Sequence, residues 1–75
     1  MQMIKVASSQ IDAVGYDAGQ RVLGVQFHRS GRYDYTGVPQ DVYDGMLAAE
    51  SVGKYFGANV KGKFDFAKHE QEKES

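Results

Sequence analysis

Residues 21–36, RVLGVQFHRSGRYDYT, decide the fold, because they read as two strands around a tight turn. Leu23, Val25 and Phe27 alternate with Gly24, Gln26 and His28, and Tyr33 and Tyr35 alternate with Arg32, Asp34 and Thr36. Strand side chains point to opposite faces with a period of two, so each run has one apolar and one polar side. Gly31 is placed to take a left-handed conformation in a three-residue loop, Arg29-Ser30-Gly31. That loop pairs His28 with Arg32, Phe27 with Tyr33 and Val25 with Tyr35. Both tyrosines then share a face with Leu23, Val25 and Phe27. They are expected in the core, with their hydroxyls at the rim or on a hydrogen-bond partner. RNA-binding sheets that stack bases instead carry their aromatics on the uncovered face. A register one residue different reverses the assignment.

Upstream, MIKV is a short strand with Ile4 and Val6 on one side, and IDAVGYD continues with mixed apolar character into the turn DAGQ. There Gly19 is expected to take the positive φ. Ser8 and Ser9, between these strands, read as a turn or bulge whose hydroxyls satisfy backbone groups. Downstream, VPQDVYDGMLAAE switches to helical spacing. Pro39 suits the first helical position, and Asp41 meets the positive end of the helix dipole. Gly45 weakens that helix intrinsically, so packing must hold it. Ser51 caps a second short helix, VGKYF, which Gly57 is expected to end. VKGKFDF returns to period two as an extended edge segment guarded by lysines.

The expected architecture is an α+β domain. A small antiparallel sheet of three or four strands carries one main helix and a short second helix on one face. The domain spans residues 1–66, and the polar stretch 67–75 has nothing to bury and is expected to be a disordered tail. With 75 residues, the chain buries roughly 60% of its unfolded surface. No cysteine is present to staple it, so five tyrosines and four phenylalanines carry much of the packing. The lack of cysteine fits a reducing cytoplasm, and the N-terminus lacks the apolar run of a signal peptide. A cytoplasmic protein without a membrane partner is expected.

The formal net charge is -1, but the charges are segregated. From Ala18 to Tyr33 they are Arg21, Arg29 and Arg32, and from Asp34 to Glu50 they are all acidic. From Ser51 to Phe64 they are Lys54, Lys61, Lys63. Two basic blocks brought together in space would make a locally positive surface in a neutral chain. The residues expected to contact nucleic acid are therefore Arg29, Arg32, Lys54, Lys61 and Lys63, with Tyr55 as the stacking ring. Catalysis is not expected. His28 reads as a solvated side chain, His69 falls in the tail, and no nucleophile–base pair or phosphate loop stands out. Asp41 and Asp44 read as a solvated acidic face, and no metal site or cofactor is expected.

The ordered series Ser8-Ser9, GYD, LGVQF, GRYDY, VP, VY, AAES and GKYF resembles the KTSC domain, from about Val6 to Phe64. That bacterial domain takes its name from a place at the C-terminus of some lysyl-tRNA synthetases and also occurs free-standing. The family's central Tyr-x-Tyr corresponds to Tyr33-Asp34-Tyr35. The resemblance implies a non-catalytic binding module, an RNA (tRNA) accessory domain or, alternatively, a protein-interaction module without a nucleic-acid role. It implies no catalytic residues.

Overall fold

In the computed structural model, which describes residues 2–69, five strands form one antiparallel meander. They are β1 (Ile4–Lys5), β2 (Ile11–Asp17), β3 (Val22–Phe27), β4 (Gly31–Thr36) and β5 (Phe66–His69), side by side in chain order. Helices α1 (Gln40–Ala48) and α2 (Val52–Asn59) fill the excursion between β4 and β5 and lie against one face. The α+β class and the single helical layer match the sequence reading, with one strand more than expected.

The central hairpin forms with the expected faces, but its three-residue turn sits one residue earlier. Val25 pairs with Tyr33, Leu23 with Tyr35 and Phe27 with Gly31, so the turn is His28-Arg29-Ser30. Gly31 follows it at φ 87°. Partners have moved by two residues, which keeps every side chain on its face. On β2 a bulge at Asp12 changes the parity once: Ile11 pairs with Phe27, then Ala13 with Gln26. Ile11, Val14 and Tyr16 can thereby all turn toward the helices. Asp12 itself faces out to the Lys5 ammonium at 3.4 Å.

The buried centre consists of Ile11, Val14, Leu23, Val25, Val38, Met46 and Val60, all with no exposed surface, joined by Tyr35, Val52 and Phe56. Tyr16 stacks on Tyr43 of α1 at 5.3 Å, and its hydroxyl donates to the Val38 carbonyl. The helices are locked together at Gly45, where an added Cβ would come within 2.7 Å of Tyr55 Cζ. No helix of the described residues is long and apolar enough to cross a membrane.

Several local expectations shift. In the β2–β3 turn, Asp17 Oδ1 accepts from the amides of Gly19 and Gln20 at 3.0 and 3.2 Å, and the positive φ falls on Arg21 at 59° rather than on Gly19. Pro39 is the residue before α1 rather than its first member, with ψ 152°. Ser51 caps α2 as expected, its Oγ accepting from the Lys54 amide at 3.3 Å. Gly57 does not end α2. Val52, Phe56 and Val60 recur every fourth residue and are all buried, so packing carries the helix through the glycine. Residues 60–65 are therefore a turn rather than an extended segment. The last strand starts at Phe66 and includes residues 67–69, which composition had assigned to the tail. Residues 70–75 lie outside the described part of the chain.

Candidate functional site

The two helices do not cover the sheet evenly. Over β3, β4 and β5 the covered face opens into a cleft of about 340 Å³. Phe27 and Tyr33 line it from the hairpin, Phe66 from β5, and Phe56 with Gly53 and Gly57 from α2. Tyr35 and Phe56 are its buried rings, each only 6% exposed, whereas Phe66 is 58% exposed.

The rings form one connected cluster. Phe27 meets Tyr33 edge-on at 5.6 Å and Phe56 at 5.5 Å, and Tyr35 meets Phe56 edge-on at 5.5 Å. Phe66 lies tilted against Tyr33 at 5.6 Å and Tyr35 at 5.3 Å. Edge-to-face packing matches positive ring edges to negative ring faces, which favours these ring pairs beyond their burial. Burial, and then the neighbouring Tyr33, raise the Tyr35 phenol above its ordinary pKa, so it stays protonated at neutral pH. The tyrosine pair is thus divided: Tyr35 is core, as expected, and Tyr33 is half-buried against the core at the cleft wall.

The opening on α2 has a sequence cause. A Cβ at Gly57 would meet nothing within 4 Å, so the helix presents bare backbone to the cleft. A Cβ added at Gly53, one turn earlier, would lie 3.4 Å from Ser8 Oγ and 3.5 Å from Gln10 Oε1. Ser8 has the structural role expected of it, its Oγ accepting from the amides of Gln10 and Ile11, both at 3.2 Å. Its carbonyl is 3.0 Å from His28 Nε2. A carbonyl only accepts, so that nitrogen carries the proton, and this contact ties the hairpin turn to the segment before β2.

The charged residues described as lining the cleft and its neighbouring hollow are basic. Lys61 lines the cleft directly, and Lys68 of β5 holds its ammonium 6.0 Å from the Tyr33 ring centre. Arg29 lines a hollow that shares Gln10, Phe27 and Ser30 with the cleft. Among the described residues lining the cleft and that hollow there is no carboxylate.

The two basic blocks therefore meet in part. Lys61 and Arg29 line two adjoining hollows that share Gln10, Phe27 and Ser30. Lys54 rims a further hollow, beside Ser9, Ser51 and Glu50, that shares Gln10 and Gly53 with the cleft. Lys63 sits exposed on the turn before β5. Two expected contacts are placed elsewhere. Arg32 alternates onto the uncovered face, where its Nε donates to Asp34 at 3.1 Å. Tyr55 is wedged over Gly45 between the helices, which removes it as a stacking ring.

Sequence reasoning missed Phe66 and Lys68 as site residues. The period-two series Phe64, Phe66, Lys68 carried the signal, but the polar composition after Phe66 masked it.

Comparison with known proteins gives a consistent picture. The KTSC domain family model matches residues 7–64. A protein of Tsukamurella paurometabola is 42% identical over 62 residues, 83% of this chain and 92% of its own length. A crystal structure of a KTSC domain protein from Yersinia pestis superposes with a TM-score of 0.91 at 39% identity, covering 92% of this chain and 97% of that one. A lysine–tRNA ligase of Nostoc punctiforme is 31% identical over 64 residues, 85% of this chain but 11% of the ligase.

Proposed function

This chain belongs to the KTSC domain family, and on that premise we propose that it is a non-catalytic RNA-binding module. Its RNA-facing surface is the rim of the aromatic cleft. The supporting observation is the convergence of Arg29, Lys61 and Lys68 around adjoining hollows whose described lining residues include no carboxylate. Cations gathered where no carboxylate lies among the described lining residues attract a phosphate backbone, and such contacts position a strand independently of its sequence. RNA is favoured over other polyanions because a homologous segment occurs within a protein named as a tRNA ligase.

Three phosphate contacts give a salt dependence of about two logarithmic units of affinity per logarithmic unit of salt for a single strand. The test is an amide-shift titration of the labelled protein with bulk tRNA at low and then raised salt. Shifts are expected at residues 29–31, 61 and 68, and they fade as salt rises. No shift at low salt with micromolar RNA would overturn the reading. Tight binding of a protein instead, insensitive to salt, would assign the same surface to a protein partner.

A further inference from the structure

We infer that the cleft between α2 and strands β3–β5 is an insertion site for one unpaired nucleobase, with the flanking phosphates held by Arg29, Lys61 and Lys68. The inference rests on the RNA reading of the rim and adds what the rim alone does not supply, a place for a base. The inference has three supports. The space is about 340 Å³, with its aromatic side open rather than sealed. Phe66 leaves 58% of its surface exposed, and its ring belongs to a packed cluster that fixes its orientation. The opposite wall is the bare backbone of Gly57, where a side chain would otherwise stand.

A flat group entering between the Phe66 ring and α2 gains stacking on one side and close backbone approach on the other. Bases stack on aromatic side chains regardless of identity, because each presents a π-face. Gln10 lies at the mouth, shared by the cleft and both neighbouring hollows, and its amide offers both a donor and an acceptor to a base edge. The charge around the mouth selects the occupant. An apolar peptide side chain would fill the cleft equally well, but Lys61 and Lys68 beside it are complementary to a base that carries its own phosphates. A-form duplexes keep their bases stacked inside, so only a single-stranded or looped segment offers one.

The test compares two six-nucleotide probes at fixed salt, single-stranded oligoadenylate and an abasic ribose-phosphate strand of the same charge. Each is titrated into wild type, Gly57→Leu and Phe66→Ala. Wild type is expected to bind the base-bearing strand at least about tenfold more tightly, the range of a single stacked base. Gly57→Leu adds a side chain on the α2 wall of the cleft, at a position with room for it. It is expected to abolish that preference while leaving the affinity for the abasic strand and its salt slope unchanged. Phe66→Ala is expected to do the same from the other wall. Equal binding of the two probes by wild type, or a preference that survives both substitutions, overturns base insertion and leaves the electrostatic rim intact. Failure of both probes to bind at low salt overturns the rim and the site together.

Discussion

Two of the helical glycines, one packed and one open, have opposite consequences in this molecule. Gly45 of α1 is filled by the Tyr55 ring of α2, and the contact is so close that a methyl group would not fit. Gly57 of α2 is filled by nothing. Around the first lies the dry half of the domain, where Met46, Leu23, Val14 and Val38 are sealed and Tyr16 stacks on Tyr43. Around the second lies the open half, where Phe27, Tyr33 and Phe66 pack against one another without a lid. Glycine lowers helix propensity equally in both places. What differs is whether another side chain takes up the room it leaves, and that separates a structural glycine from one that shapes a site.

The sharpest way to break the contrast is to empty the sealed half. Met46→Ala removes a fully buried side chain and is expected to lower unfolding free energy by about 2–5 kcal/mol in urea denaturation. Phe66→Ala on the open half is expected to cost distinctly less in the same assay. Next is Gly45→Ala, which overpacks the helix contact and is expected to destabilise by about 1–3 kcal/mol as Tyr55 is forced aside. Gly57→Ala carries the opposite sign. It improves helix propensity at an open site and is expected to stabilise by about 0.5–1 kcal/mol. Matching effects at the two glycines would dissolve the distinction drawn between them.

The smallest effect at neutral pH appears only in alkali. Tyr35 and Tyr43 have phenols raised above 10.0, in each case chiefly by burial, with Tyr33 and Asp44 respectively adding to it. The unfolded chain loses these protons near pH 10 and the folded chain later. The native state therefore binds more protons above pH 10, and stability falls as pH rises through that range. Thermal melts between pH 9 and 11 are expected to show this decline. Tyr35→Phe and Tyr43→Phe should each flatten it, with little change at pH 7.

Much of the fold was legible because it rests on parity. The hairpin formed two residues out of the expected register, yet Leu23, Val25, Tyr33 and Tyr35 kept their faces, since an even shift preserves alternation. Helix ends were less legible, because Gly57 carries a local stop signal that the burial of Phe56 and Val60 overrides. The site was least legible. Its two basic blocks are brought together by the return of the chain after α2, and composition shows neither that return nor the pairing of Phe66 with Tyr35. Tyr55 was misplaced for a related reason: its neighbours Lys54 and Phe56 are visible in sequence, but Gly45 opposite it is not.

The meander has a temporal side as well. Strands β1 to β4 are joined by short local turns, whereas β5 reaches β4 only after both helices have been laid down. Contacts that close long loops are the slow ones to form, and an outer strand is among the first elements to open again. Phe66 and Lys68 both belong to that strand. The cleft is therefore expected to complete after the local hairpins and to open before the central strands. A guest that fits it can bind only those molecules whose final strand is seated, so binding and the closing of the chain are one equilibrium.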